Sequence, residues 1–338
     1  MNDLDNSPAA TTPSAEVAVI IAAFRAAERI GRAVASALEQ PETREVIVVD
    51  DASEDNGATL EAARRADDGT GRLVIIALKT NKGPAYARNR GIAASRSPWI
   101  SILDSDDFME RDRFRRMFSL AEGPFDILAD DLYQINENDE AGDRRTMRLP
   151  EGHPSQKLTL EAFLAGNIPD PARPRTELGF LKPVMKREFL DRHALRYDES
   201  MRLGEDYQLY TEALIAGARF QMVRASGYVA VMRRGSLSDR HSRKDLLACE
   251  AGDRRILLNS NLSRSARRLM LQRLHSTQCK IAWIDFMAAI KARRLPRATL
   301  IVLGRPRCAI HIMTGLFQIA ARRFGQAASH HGEEAAHA

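Results

Sequence analysis

The stretch Trp99–Phe114, WISILDSDDFMERDRF, sets three aspartates within four positions directly after an apolar, strand-like run. An apolar run ending in crowded carboxylates reads as a buried strand whose C-terminal end opens on a crevice. Asp104, Asp106 and Asp107 repel one another there, so the arrangement needs protons or a cation to offset the repulsion. Hard carboxylate oxygens suit Mg2+ or Mn2+. The same composition also suits a solvated, aspartate-rich turn.

Upstream of this stretch the pattern alternates. EVAVIIAAF (16–24), REVIVVDDAS (44–53) and RLVIIAL (72–78) are short Val/Ile-rich runs ending in small or polar residues, as buried parallel strands do. Between the first two, Ile30, Val34 and Leu38 recur at a spacing of four, which makes a helical stripe. Helices are also expected at Ala58–Ala66 and over AYARNRGIAAS (85–95), which leads into PWISILD (98–104). Strands alternating with helices at this spacing predict an α/β fold, a Rossmann-like parallel sheet covered on both faces, with ligands gathering at the strand C-terminal ends. Those ends follow Phe24, Val49 and Leu103, and the first lacks the GxGxxG loop of a dehydrogenase.

Downstream, the expected order is a helix over 111–121, a strand in FDILADDLY (125–133), a polar insertion over 136–153 and a loop carrying Pro169, Pro171 and Pro174. GFLKPVMKREFL (179–190) and a helix after Gly204 follow. Beyond Arg233 the composition turns helical and Arg-rich, with few strand signals until RATLIVL (297–303).

Further charged groups are candidates for the crevice. Asp50 and Asp51 close the second strand, where ionised carboxylates would select a partner offering N–H or O–H groups, such as a uracil imide or ribose hydroxyls; an Asx turn starting the next helix is the plainer alternative. NKGPAYARNRGI carries Lys82, Arg88 and Arg90, of which Arg88 is expected at a phosphate and Arg90 at the surface. Glu205 and Asp206 open a helix, where carboxylates serve the helix dipole or act as a general base. Arg233 and Arg234, with Ser236 and Ser238, would close over a diphosphate, and His241 is a further candidate metal ligand.

The whole chain bounds these readings. Its 338 residues are 44% hydrophobic, enough for one large core or two small ones. The formal charge of +5 splits into −6 up to Ser238 and +11 beyond it. Cys249, Cys279 and Cys308 lie far apart in sequence with no CxxC pairing, which argues against a zinc site and a disulfide framework and suits a reducing cytosol. The first fourteen residues are polar and read as a disordered tail rather than a signal peptide. Cys308–Ala321, the longest uncharged C-terminal run, is too short to span a bilayer; apolar faces flanked by arginines suit either helices lying on an anionic membrane or an ordinary packed subdomain. An aromatic content of 6% gives few stacking platforms, so no nucleic-acid partner is expected despite the basic tail.

In this order the segments VIIAAF, VVDDAS, NKGPAYARNRGI, ILDSDDF and GED resemble an inverting family 2 glycosyltransferase with the GT-A fold, from about Glu16 to Ser238. The resemblance implies a nucleotide-sugar-binding half (15–123), an acceptor-binding half (124–238), a basic helical extension (239–330) and a disordered tail (331–338). It places Asp51 on the uracil N3–H with Asp50 beside it, Phe24 stacked on the base, and Arg88 near the nucleotide. DSDD matches the DXD region, with Asp104 at the nucleotide, Asp106 and Asp107 at the ribose and the Mn2+ or Mg2+ that bridges the donor diphosphate, and Arg233 and Arg234 at that diphosphate. Asp206, beside Glu205, matches the catalytic base. AAFR departs from the commoner end of the first strand, and the late histidine is not cleanly placed. Length, motif wording and the Arg-rich tail are similar to exopolysaccharide glucosyltransferases of the succinoglycan type. This implies a UDP-sugar donor, a lipid-linked or polysaccharide acceptor, and a cytoplasmic protein peripheral at the inner face of the cell membrane.

Overall fold

A computed structural model describes residues 15–137, 144–146, 155–168, 176–233 and 241–318. The chain divides into two compact units, Met1–Asp239 and Arg240–Ala338.

The first unit is built on an eight-stranded sheet. β1 (Val17–Ala23), α1 (Ile30–Leu38), β2 (Thr43–Asp50), α2 (Ala58–Arg65), β3 (Leu73–Ala77), α3 (Pro84–Ala94) and β4 (Trp99–Ile102) follow the expected alternation. The apolar stripe of α1 faces inward: Ile30, Val34 and Leu38 are buried against the sheet. β1 lies between β2 and β4, parallel to both. The chain thus winds outward through β2 and β3, then crosses back through α3 to β4, leaving a topological switch point at the C-terminal ends of β1 and β4. Gly91 permits this return: a Cβ there would sit 2.4 Å from Ile20 Cγ2, so α3 lies on β1 more closely than any larger residue allows.

The second half of the sheet departs from the all-parallel expectation. After β5 (Phe108–Met109) and α4 (Arg113–Leu120), FDILADDLY divides into β6 (Ile127–Asp130) and β7 (Tyr133–Asn136), which belong to different sheets. β10 (Val184–Lys186) inserts between β4 and β6, antiparallel to both. β11 (Phe220–Val223) is parallel to β6, and β9 (Ser155–Leu158) closes the edge antiparallel to β11. A smaller sheet orders β5, β12 (Tyr228–Met232), β7 and β8 (Arg145–Thr146). Residues 15–123 and 124–238 therefore share one sheet, because β10 and β11 return to pair beside β4 and β6. Helices α5 (Leu160–Gly166), α6 (Arg187–Arg192) and α7 (Glu205–Ile215) belong to this half. An ion pair without solvent exposure, Arg113 Nη2 to Asp130 Oδ1 at 2.7 Å, sits at the join, and Asp130 also accepts from the backbone of Ser226 and Tyr228.

The second unit is helical: α8 (Arg243–Leu257), α9 (Arg264–Lys291), α10 (Leu295–Gly304), a short 3-10 turn (Pro306–Cys308) and a helix through 309–318. RATLIVL, read as strand-like, lies in α10. Pro296 in the first turn suits a helix start, and only one residue of the segment, Ala298, is fully buried, so no neighbouring strand claims it. Ser242 and Asp245 form a capping box on α8, and Ser263 caps α9 through the Ala266 N–H. The core of this unit includes Ala282, Phe286, Ala289, Ala298 and Ile312. The same core brings together two free cysteines that lie far apart in sequence: Cys279 and Cys308, 29 positions apart, have their Sγ atoms at 2.7 Å.

Among the described residues no single helix is long and apolar enough to cross a membrane. Leu295–Gly304 and Pro306–Gln318 have the length and composition together but are bent by 99°.

Candidate active site

The switch point collects the acidic groups. The loop after β4 places Asp104, Asp106 and Asp107 at the sheet rim, and β12 pins it: Tyr228 Oη donates to Asp107 Oδ2 at 2.8 Å and Val231 N–H donates to Asp107 Oδ1 at 2.9 Å. Tyr228 Oη also accepts from the Asp104 N–H. Asp107, expected on the metal beside Asp106, is buried with both oxygens engaged by the framework. Burial, with the charges of Asp104 and Asp106, pushes its carboxyl well above the ordinary range. Asp106 stays partly exposed and pairs with Arg233 Nη2 at 2.6 Å. Burial and the neighbouring Asp104 raise its carboxyl, against the pull of Arg233.

Arg88 and Lys182 hold the other side. Arg88, on the inward face of α3, reaches Asp104 Oδ1 at 2.8 Å, Glu205 Oε1 at 2.5 Å and Asp206 Oδ1 at 3.3 Å. Lys182 Nζ bridges Asp206 Oδ2 at 2.6 Å and Asp104 Oδ2 at 3.1 Å. Burial would raise the Asp104 carboxyl, but Lys182 and Arg88 overcome it and hold it at about 2. Glu205 moves the other way, raised by burial against the pull of Arg88. Gly204, with φ of 76°, makes the left-handed turn that delivers this acid pair at the first turn of α7. Arg90 is exposed.

Asp50 and Asp51 separate in role. Asp50 accepts from the Ser53 backbone and hydroxyl in a local turn. Asp51 reaches across to the loop before α3, where its two oxygens accept from Lys82 N–H and Gly83 N–H, each at 2.8 Å. Burial raises its carboxyl, opposed by those two N–H groups. Phe24 stands 44% exposed just after β1, with the Arg25 guanidinium 5.1 Å from its ring centroid. Arg234, Ser236 and Ser238 lie outside the described residues, and His241 belongs to the second unit.

The cluster has a definite charge balance. Asp104, Asp106, Asp107, Glu205 and Asp206 face the ion-pairing cations Arg88, Lys182 and Arg233 among the described residues, five carboxylates to three cations. Asp107, its carboxyl pushed well above the ordinary range, drops out of this balance, which leaves four carboxylates to three cations and a formal excess of one negative charge. Arg88 Nε and Arg233 Nε are in addition buried without a hydrogen-bond partner among the described residues. A partly exposed carboxylate in an environment short of positive charge fits a hard divalent cation, and orphaned guanidinium N–H groups fit an anion beside it. Asp106, with Asp104 next to it, fits the metal by this test better than Asp107.

Sequence reasoning missed Lys182 and Tyr228. Each precedes or lies in an unremarkable strand, FLKPVMK or GYVAVM, and reaches the site only because β10 inserts beside β4 and β12 pairs with β5.

Comparison with known proteins agrees with this architecture. The family model described as glycosyl transferase family 2 matches residues 18–179. The succinoglycan biosynthesis protein ExoU of Rhizobium meliloti (strain 1021) is 46% identical over 252 residues, 74% of this chain and 72% of that protein. ExoO of the same organism, also a succinoglycan biosynthesis protein, is 33% identical over 339 residues, 98% of this chain and 94% of that one. Among solved structures, S. aureus TarS 1-349 in complex with UDP-GlcNAc aligns with a TM-score of 0.62 at 17% identity, covering 85% of this chain and 79% of that one. The mannosyltransferase PcManGT from Pyrobaculum calidifontis, in complex with GDP-Man and Mn2+, aligns with a TM-score of 0.54 at 19% identity, covering 91% and 86%. At these identities the structural likeness shows the fold alone, a GT-A sheet with the acidic loop at its switch point. Sequence similarity across nearly the whole chain carries the rest: the chain belongs to glycosyl transferase family 2 and is a glycosyltransferase.

Proposed function

We propose that the chain transfers a sugar, glucose in the first instance, from a UDP-sugar to a hydroxyl of a lipid-linked or polysaccharide acceptor in exopolysaccharide biosynthesis of the succinoglycan type, with inversion to a β-glycoside. The names of the two Rhizobium relatives support the pathway, and the UDP-GlcNAc complex of TarS supports the donor class. The observation that carries the reading is the excess of negative charge at the switch point, beside two guanidinium N–H groups that lack a hydrogen-bond partner among the described residues.

In this reading Phe24 stacks on the base, and Asp51, fixed by the Lys82 and Gly83 N–H groups, accepts the uracil imide proton with a remaining lone pair, Asp50 steadying the turn beside it. Asp104 faces the ribose; Arg233, with Arg88, faces the diphosphate. Asp106 holds Mn2+ or Mg2+, assisted by Asp104, and the ion supplies Lewis-acid neutralisation of the leaving diphosphate. Asp206 takes the proton of the acceptor hydroxyl as that oxygen bonds the anomeric carbon and UDP departs with the broken bond's electron pair. Its Oδ1 serves, because 3.3 Å to Arg88 is the weaker of its two cation contacts. Glu205, held by Arg88, fixes the helix start that aims Asp206.

The second unit gives the acceptor reading its support. Leu300, Leu303, Ile310, Met313 and Phe317 are exposed on α10 and the following helix, together with Arg294, Arg297, Arg305 and Arg307. Apolar side chains among exposed arginines complement an anionic membrane surface, where a lipid-diphosphate acceptor resides. In this reading the protein works at the inner face of the cell membrane.

Calorimetry and UDP release decide the matter together. Asp106→Asn should abolish Mn2+-dependent UDP binding. Asp206→Asn should keep that binding while transfer from UDP-glucose to a lipid extract falls by about 10²–10⁴-fold. Equal loss of UDP binding in both variants, or binding indifferent to divalent ions, refutes the assigned roles.

A further inference from the structure

One cluster in the helical unit is independent of the transferase site. His275 and Cys279 stand one helical turn apart on the same face of α9, and Cys308 is delivered by the 3-10 turn after α10. One potential ligand atom from each lies within 4.8 Å of the others. Both cysteines are buried in the apolar core beside Ala282, Phe286 and Ile312, while His275 is half-buried at its edge.

The separations carry chemical information. Tetrahedral zinc with bonds of 2.3 Å to sulfur and 2.0–2.1 Å to nitrogen holds a sulfur and a nitrogen about 3.6 Å apart, and two sulfurs about 3.8 Å apart. Cys279 Sγ lies 3.6 Å from His275 Nε2, the spacing that two ligands keep across such an ion. The two sulfurs, at 2.7 Å, need to part by about 1 Å, within reach of a cysteine χ1 rotation. A disulfide would use the two sulfurs and leave the imidazole without a role. Two thiols and an imidazole are a soft-to-borderline donor set, suited to zinc rather than to the magnesium or manganese expected among carboxylates.

We propose that His275, Cys279 and Cys308 form a zinc site that ties α9 to the turn after α10, with a water on the half-exposed side completing four-coordination. Binding replaces the two thiol protons, so that one Zn2+ enters and two H+ leave with no change of oxidation state. Burial and the adjacent Cys308 push the Cys279 thiol up to about 12, so an ion entering the site displaces a proton from that sulfur. The site also gives the second unit a cross-link at the base of the arginine-flanked apolar helices.

The test uses the full chain, purified under reductant without chelator. Elemental analysis should find close to one zinc per chain, and Co2+ added to the chelator-stripped protein should give a thiolate-to-cobalt charge-transfer band with the intense d–d absorption of a four-coordinate ion. Cys279→Ser and Cys308→Ser should abolish both signals. His275→Ala should weaken zinc binding by more than about tenfold, and Cys249→Ser should change neither signal. Should the serine variants fail to fold, the Zn2+ and Co2+ titrations of the wild-type chain stand by themselves. Reduced wild-type protein that takes up neither ion overturns the proposal, as does a chain isolated two hydrogens lighter that remains metal-free after reduction.

Discussion

Lys182→Met removes one charge from the middle of the acidic cluster while keeping most of the side chain's volume. Its ammonium lies 2.6 Å from Asp206 and 3.1 Å from Asp104, with only 7% of the side chain exposed. At an effective dielectric near 20 these contacts correspond to about 6 and 5 kcal/mol of attraction. Desolvation of the ammonium and repulsion from Arg88 offset most of it, and breaking a buried pair from one side costs about 3–5 kcal/mol net. With a urea m-value of about 2–3 kcal/mol/M, the unfolding midpoint should fall by about 1–2 M. The variant also carries one more uncompensated negative charge, so Mn2+ should rescue it disproportionately: a tenfold tighter folded-state affinity adds about 1.4 kcal/mol of stabilisation at saturating ion. Urea titrations of both proteins, with and without Mn2+, read both effects. A midpoint shift below about 0.3 M, or equal Mn2+ stabilisation of the two proteins, would refute the charge balance on which the site reading rests.

Asp130→Ala strands the Arg113 guanidinium at a position with no solvent exposure, and should cost about 3–5 kcal/mol in chemical denaturation; Arg113→Met with Asp130→Leu should recover part of that loss. Asp126 is held below the ordinary carboxylate range by hydrogen bonds from Arg219, whose Nε and Nη2 reach it at 2.8 and 2.7 Å, with burial acting against them. Its contribution is therefore present above the unfolded carboxyl pKa near 4 and disappears as pH falls through the lower folded value. Asp126→Asn should accordingly be less stable than wild type by about 1 kcal/mol at pH 7, with the difference closing in acid. Leu300→Ser with Leu303→Ser should reduce cosedimentation with anionic vesicles at least about tenfold while leaving UDP binding intact; unchanged cosedimentation would remove the membrane from the proposal.

The first half of the fold was legible because its signals are local. Each strand from β1 to β4 pairs within a βαβ winding whose handedness and order follow from alternation, and Ile30, Val34 and Leu38 announce the buried face of α1 directly. The second half carries the same kinds of residue without the same constraint. Nothing in GFLKPVMKREFL states that three of its residues will insert antiparallel between β4 and β6, and nothing in FDILADDLY states that the chain changes sheets between Asp130 and Tyr133. Those outcomes depend on long-range pairing, whose cost and reward are both invisible in a local window. Cys279 and Cys308 repeat the lesson, since their meeting is decided by the packing of α9 against the segment after α10.

The candidate site divides along the same line, and the division follows from electrostatics. The carboxylates were readable because crowding like charges is costly, and a chain that places three aspartates in four positions displays that cost in one dimension. The compensating cations were only half readable. Arg88 lies in the segment just before the acidic strand, whereas Lys182 arrives from nearly eighty positions downstream, and the position that best fits it is defined by Asp104 and Asp206 together. Motif reading also gave Asp107 the same standing as Asp106, because two adjacent carboxylates look alike in sequence. The turn between β4 and β5 directs one toward Tyr228 and the Val231 N–H and leaves the other at the rim with Arg233. Which acid braces the loop is therefore decided by β12, and the proposed role of Asp106 at the metal follows from its place at the rim. A motif names the charges, and the pairing of distant strands assigns their work.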